Sequence, residues 1–192
     1  MLVPALVHLA GISVHVAIPA AMMSYIVTGL AGTFLYARAR SVKWNMAGWL
    51  SAGAIPGAMA GAFTANLAPG VLIESLIGLF AALSGLHTLF SRRARHCSEG
   101  RPVSNRALCF LGIITGFASA LTGTAGPLVL VPLLMALDFA VLTAVGLSQA
   151  IQLPVALVAT GVNFHSGSLD LKLGGLLALG VPVGVWAGSK SP

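Results

Sequence analysis

The sequence predicts an all-α integral membrane protein that crosses the bilayer several times. Only 7% of its 192 residues are charged, compared with about 25% in soluble domains, and 57% are hydrophobic. The mean hydropathy is +0.97. The apolar residues form runs long enough for transmembrane helices, in which every backbone group finds its partner within the segment. These observations exclude a soluble globular fold.

Seven apolar segments follow one another along the chain. A helix rises about 1.5 Å per residue, so about 20 apolar residues cross the hydrocarbon core. Charged and turn residues divide the runs. The segments are 2–10, 14–37, 44–67, 69–90, the interrupted stretch 107–137, 139–164 and 171–189. The first is a short remnant, and no basic region precedes it, so a cleavable signal peptide is not expected.

The positive charges lie almost entirely between the apolar segments. The formal net charge is +6, and most of the ten Lys and Arg residues fall within 38–43 and 91–106, as expected of cytoplasmic loops. Nucleic-acid binding is not expected, because no soluble domain is present to display a basic surface. The chain is therefore divided into a membrane region at 1–90, a basic cytoplasmic loop at 91–106 and a second membrane region at 107–192.

The stretch 107–137 has no acidic, Lys or Arg residue, but its middle does not suit a straight helix. Residues 119–127 read Ser-Ala-Leu-Thr-Gly-Thr-Ala-Gly-Pro. Lipid cannot pair the backbone groups that a break releases, so the break must face protein or a water-filled cavity. The halves 107–120 and 128–137 span about 21 Å and 15 Å as helices, too little to cross alone. A re-entrant hairpin carrying the solute site is expected; a single broken crossing is the alternative.

An internal repeat of about 127 residues is indicated by two pairs of windows. Residues 2–6 are similar to 130–134, and 53–61 to 180–188, the latter pair sharing Gly at the first, fifth and ninth places. This Gly spacing favours close helix packing over substrate contact. The loop 38–43 carries three cations but its counterpart 165–172 only one Lys, so the repeats are expected to be inverted. A single broken crossing would make them parallel.

Residues 116–127, Gly-Phe-Ala-Ser-Ala-Leu-Thr-Gly-Thr-Ala-Gly-Pro, followed by Val131-Pro132, resemble the hallmark of the TauE/SafE family of membrane transporters. That hallmark reads Gly-Phe-x-Ser-Gly-Leu-x-Gly-x-Gly-Gly-Gly and then Val-Pro. Residues 144–149 resemble the second family signature, Ala-x-Gly-Thr-Ser-Leu, and the resemblance covers essentially all 192 residues. It implies a permease of the bacterial inner membrane for a small sulfur-containing or organic anion, such as sulfite, a sulfonate or sulfoacetate.

The sequence also departs from the family pattern. Ala120, Ala125 and Pro127 occupy Gly positions of the hallmark, and Leu147 stands where Thr is usual. The family has two hallmarks and this chain has one, so it is expected to lack the first hallmark and the last helix of the second repeat. A missed upstream start and a truncated gene both explain this. The alternative function is therefore a transport-incompetent membrane protein or subunit that assembles with another chain, which includes a homo-oligomer.

An anion at the break would be held by dipoles and hydroxyls, because no Lys or Arg lies in the interior of a predicted segment. The helix that restarts near Pro127 would place its positive end beside these groups. The predicted substrate-binding residues are Ser119, Thr122, Gly123, Thr124, Gly126, Ser148 and Gln149, with Ser119 and Thr122 as first candidates. In the alternative interpretation the hydroxyls pair with carbonyls released by the break, while Ser148, Gln149 and Gln152 bond between helices.

Other chemistry is not indicated. The four acidic residues, Glu74, Glu99, Asp138 and Asp170, are not paired at helical spacing, and Ser119 has no evident base, so an enzyme is not expected. The His and Cys residues have no metal-ligand spacing, so neither a metal nor a cofactor is expected. Glu74 could relay protons or cap its helix, and capping is favoured.

Overall fold

The computed structural model of the chain describes residues 2–90, 103–124, 126–167, 172–178 and 180. Seven helices of nine or more residues are formed within these ranges. In chain order they are α1 Leu2–Ala10, α2 Val14–Arg38, α3 Trp44–Leu67, α4 Gly70–Phe90, α5 Asn105–Thr122, α6 Pro127–Ala136 and α7 Val141–His165. Residues 172–178 are also helical; the rest of the predicted segment 171–189, apart from residue 180, lies outside the described residues.

The predicted all-α architecture is confirmed, with helix ends within about two residues of the predicted ones. Helices α2, α5 and α7 are long and apolar enough to cross a membrane, whereas α6 and residues 70–82 of α4 are shorter apolar helices. Helix α3 has the length but a lower hydropathy, since it is rich in Gly and also has polar residues at both ends.

The length of α5 corrects one expectation. Both halves of the interrupted stretch were expected to be too short to cross the membrane, but α5 has 18 residues and meets the criterion of a spanning helix. It begins earlier than expected because Ser104 caps it, accepting a hydrogen bond from Ala107 N at 3.3 Å. It also continues to Thr122, two residues beyond the expected end.

Helices α3 and α5 form the most extensive contact in the bundle and run parallel. Three Gly residues of α3, Gly53, Gly57 and Gly61, lie against the carbonyl groups of Cys109, Ile113 and Phe117 in that order. On α5, Gly112 and Gly116 lie in the same way against the carbonyls of Leu50 and Ala54. A Cβ atom at any of these five positions would overlap main chain of the other helix. The predicted packing role of 53–61 is confirmed.

Helices α2 and α7 form the second large contact and run antiparallel. Near its centre, Gly29 lies against the backbone of Leu153, and Thr33 Oγ1 donates to the carbonyl of Gln149 at 3.1 Å. One residue before Gly29, Thr28 Oγ1 accepts from Gln152 Nε2 at 3.1 Å. Polar side chains thus cross this interface, in contrast to the Gly-lined contact of α3 with α5.

The offset of 127 residues recurs in the backbone. Helices α2 and α7 both have 25 residues, and their first residues, Val14 and Val141, are 127 positions apart. Two pairs of residues with positive φ are also 127 positions apart. Gly11 (φ 64°) corresponds to Asp138 (φ 63°), and Arg40 (φ 52°) corresponds to Gly167 (φ 71°). These matches support the repeat, which stays a prediction because 181–188 lie outside the described residues.

The buried core forms two clusters, one towards each end of the bundle. One joins the first half of α2 to the second halves of α3 and α7, and the other joins the first halves of α3, α5 and α7 to α6. Val103 before α5 and Leu137 after α6 pack into the same cluster, so the chain returns to the end of the bundle from which α5 starts. This course agrees with the expected re-entrant hairpin. At that end Lys43 Nζ lies 5.8 Å from the centre of the Phe139 ring.

Candidate functional site

The interruption between α5 and α6 is present where the sequence predicts it. Helix α5 ends at Thr122, and Gly123 adopts the left-handed conformation with φ 62° that commonly terminates a helix. Helix α6 starts at Pro127, which suits a first helical turn because it has no N–H to leave unpaired. Residues 123–126 therefore connect two helices within the bundle, and Ala125 lies outside the described residues.

Gly123 is required by both its conformation and its surroundings. A Cβ atom there would lie 2.8 Å from Ile18 Cγ1 and 2.8 Å from Val3 Cγ2. We expect Gly123→Ala to lower the free energy of unfolding by about 2–4 kcal/mol, from the left-handed strain and the overlap together. Gly11 also has positive φ, at 64°, but no atom within 4 Å of a Cβ, so Gly11→Ala should cost only the strain, about 1–2 kcal/mol. Thermal unfolding in detergent measures the stability of both variants. If Gly123→Ala and Gly11→Ala lower the stability equally, the packing of Gly123 against Ile18 and Val3 is not the cause.

The first turn of α6, which starts at Pro127 after Gly126, has no side-chain cap among the described residues. The carbonyl of Gly126 accepts from Val129 N at 3.3 Å and Leu130 N at 3.0 Å, as the first intrahelical bonds. The positive end of the helix dipole is therefore left without a negative or polar side-chain partner in the described part of the chain.

Three hydroxyl groups lie on one face of α5, at Thr115, Ser119 and Thr122, and each side chain is completely buried. Thr122 Oγ1 donates to the carbonyl of Ala118 at 2.6 Å and lies 2.8 Å from Thr124 Oγ1, so these two are paired as in the alternative interpretation. Ser119 Oγ and Thr115 Oγ1 have no hydrogen-bond partner within the described ranges. A buried hydroxyl without a partner is costly, and it is available to a ligand.

The middle of α7 lies directly against the break. A Cβ atom on Gly126 would be 3.4 Å from the carbonyl oxygen of Ser148 and 3.9 Å from Gln152 Cα. Ser148 is completely buried, and its hydroxyl donates to the carbonyl of Ala144 one turn earlier. Gln152 is also buried, at 4% exposure. The break therefore meets α7 at one turn, from Ser148 to Gln152.

The predicted site residues do not all converge. Gly126 and Ser148 are in contact, and Thr122 and Thr124 bond to each other. Gly123 instead packs against Ile18 and Val3, on the side of α1 and α2. The side chain of Gln149 turns towards α2, where its Oε1 would lie 2.6 Å from a Cβ on Gly32.

Two polar features were missed in the sequence. Thr115 is one turn before Ser119 on the same helix face, a spacing that would have identified it. The second is a contact between the ends of α3 and α7, where Asn66 Nδ2 donates to Asn163 Oδ1 at 3.2 Å. Asn163 is 2% exposed although it lies near the end of α7. No sequence signal connects two Asn residues that are 97 positions apart.

A cavity of about 240 Å³ lies beside the break, between α1, the start of α2 and α4. Its lining includes His8, Glu74 and Val3, and Val3 is the residue that packs against Gly123. Val3 therefore separates this cavity from the break. The favoured capping role of Glu74 is wrong, because α4 begins at Gly70 and has no acidic residue in its first turn.

A polytopic helical bundle with membrane-length helices and a buried helix break is an architecture that membrane transport proteins use. The family model described as sulfite exporter TauE/SafE matches residues 1–191. The chain belongs to this family, whose members are permeases and not enzymes. The resemblance inferred from residues 116–127 is thereby confirmed. Neither the curated proteins nor the solved structures gave a match.

Proposed function

We propose that this protein carries a small oxoanion across the bacterial inner membrane and binds it at the break between α5 and α6. Of the seven predicted residues, Ser119, Thr122, Thr124, Gly126 and Ser148 form the proposed site, whereas Gly123 packs against Ile18 and Val3 and Gln149 is turned towards α2. The observation that carries the proposal is the buried Ser119 hydroxyl, which has no hydrogen-bond partner among the described residues, on the helix that leads into the break. The uncapped first turn of α6 supplies the positive potential that an anion requires.

The charge distribution supports an anion held without a formal cation. In the described part of the chain, Lys and Arg residues lie in loops or in the terminal turns of helices, such as Arg38 at the end of α2 and Arg106 at the start of α5. Hydroxyls, backbone N–H groups and a helix dipole bind an anion more weakly than Arg does. Weak binding suits a carrier that has to release its substrate.

Sulfite, sulfonates and sulfoacetate are the substrate class that we propose. The family is described as a sulfite exporter family, and these anions present several oxygen acceptors to donors arranged around a break. The two antiparallel helices α2 and α7, with matching turns before and after them, support an inverted repeat. An inverted repeat places a substrate site near the middle of the membrane.

Reconstituted protein tests the proposal. We expect purified protein in liposomes to take up radiolabelled sulfite or methanesulfonate at a saturable rate, above that of protein-free liposomes. Absence of uptake for every tested sulfur oxoanion, with the protein folded, would contradict transport by this chain alone. Uptake that appears only in cross-linked homo-oligomers, or after addition of a second chain, would favour the alternative that the protein acts as a subunit.

A further inference from the structure

The orientation of the Gln152 side-chain amide is determined by α2. Thr28 Oγ1 lies 3.5 Å from the carbonyl of Ser24 and 3.4 Å from that of Tyr25, so its proton is directed to the backbone. Its oxygen then accepts from Gln152 Nε2 at 3.1 Å, and the carbonyl of Tyr25 lies 3.5 Å from the same nitrogen. The carbonyl of Tyr25 can only accept, so the NH₂ group of the amide faces α2 and the oxygen faces away.

The oxygen of this amide is an acceptor without a donor. Gln152 Oε1 is buried and has no hydrogen-bond partner within the part of the chain that the structure describes. Gln152 also belongs to the turn of α7 that meets the break, since Gly126 packs between Ser148 and Gln152. A buried amide oxygen is costly unless a donor reaches it. A site for a fully deprotonated anion would not need such an acceptor.

We infer that, among the anions of the proposed class, the site prefers a singly charged oxoanion that retains one O–H group, and that Gln152 accepts this O–H. The inference rests on the proposed function. The hydroxyls of Ser119 and Thr115 donate to the charged oxygens, and Gln152 Oε1 receives the one proton that the substrate offers. Hydrogen sulfite has this form, whereas the sulfite dianion has no proton to donate.

The charge distribution of the bundle also favours a singly charged substrate. The cost of removing an ion from water rises with the square of its charge, so a dianion needs compensation from cationic side chains. The helices that pack against α7 are α2, α3, α5 and α6. Their titratable side chains are His15, Tyr25, Tyr36, Arg38, Arg106 and Cys109. The two Arg residues of this set lie in terminal turns, and His165 lies at the end of α7 itself. The dipoles in the middle of the bundle can therefore stabilise one negative charge on the substrate, but they contribute little to the stabilisation of a second.

The pH dependence of transport tests the inference. Uptake into liposomes is measured at equal pH on both sides, with protein-free liposomes subtracted at each pH to remove diffusion of neutral sulfur dioxide. At constant total sulfite, the rate should follow the hydrogen sulfite fraction and fall about tenfold per pH unit above the pKa of that anion. Methanesulfonate keeps one charge and has no O–H at every pH, so it reports any titration of the protein. Its rate should stay level.

Substitutions at Gln152 and Thr28 identify the acceptor. Gln152→Leu should lower the ratio of the hydrogen sulfite rate to the methanesulfonate rate about tenfold. Thr28 is a positioning residue, so Thr28→Val should lower that ratio by a smaller factor, because the amide is then free to turn. A sulfite rate that rises with pH, or an unchanged ratio in folded Gln152→Leu protein, would overturn the inference. Absence of transport for both anions in the unmodified protein would instead reject the proposed function.

Discussion

Replacing Ser119 and Thr122 with valine is expected to abolish transport while the protein remains folded in the membrane. Ser119→Val removes a buried hydroxyl that has no partner among the described residues. Thr122→Val removes the hydroxyl that lies 2.8 Å from Thr124 Oγ1 and holds it at the break. Thr122 Oγ1 donates to the carbonyl of Ala118, so its replacement acts through the position of Thr124. The lost hydrogen bond of Ser119 to a charged ligand contributes about 1.5–3 kcal/mol and the lost positioning of Thr124 about 0.5–1.5 kcal/mol, so the initial rate of anion uptake into liposomes should fall about a hundredfold.

Controls separate this loss from a folding defect. Thr64 is an exposed hydroxyl residue of α3 that bonds to the carbonyl of Ala60 at 2.8 Å, and Thr64→Val should leave the rate unchanged. Ser119→Ala avoids the volume that valine adds at a fully buried position and should give most of the loss. Size-exclusion profiles and melting temperatures show whether each variant is folded. Normal flux in the folded double variant would rule out the break as the site.

Replacing Gly57 with alanine is expected to destabilise the bundle, and replacing it with valine to prevent its assembly. A Cβ atom at Gly57 would overlap the carbonyl group of Ile113. The obstacle is main chain, so no side chain can turn aside and the two helices must separate. Overpacking of this kind costs about 1–3 kcal/mol for one methyl group, and more for valine. The midpoint of thermal unfolding in detergent measures the effect.

The matched control lies on the same helix. Gly48 has no atom within 4 Å of a Cβ position, so Gly48→Ala should have no overlap and should gain about 0.5–1 kcal/mol of helix propensity. Gly116→Ala places a methyl group against the carbonyl of Ala54 and should reproduce the loss from the opposite helix. If Gly48→Ala lowers the midpoint as much as Gly57→Ala does, close packing of α3 and α5 is not the cause.

Most helix boundaries could be predicted because the residues that end helices in a membrane are conspicuous. Charges at 38–43 mark the turn between α2 and α3, and Gly123 with Pro127 marks the break. Which helices pack against each other could not be predicted from the sequence. The Gly spacing at 53–61 indicates that another helix packs closely against α3. It does not show that this helix is α5, whose own Gly112 and Gly116 are seen to pack against α3 only in the structure.

The candidate site was predictable in position and less so in detail. The sequence locates the break and its hydroxyls, because residues 119–127 combine Ser, Thr, Gly and Pro in one short stretch. The sequence cannot show the direction of a long side chain. In the structure Gln149 Oε1 lies against Gly32, whereas Gln152 Nε2 donates to Thr28. Side-chain rotamers and the crossing of α2 with α7 decide that outcome.

The direct main-chain contact of α3 with α5 also limits how the protein can expose its interior alternately to the two sides of the membrane. Interfaces that slide do so by switching side-chain rotamers, and this interface has carbonyl groups resting on Gly residues where such side chains would be. We therefore expect α3 and α5 to move together as one rigid body. We expect any alternating access to involve the contact of α2 with α7, which polar side chains cross.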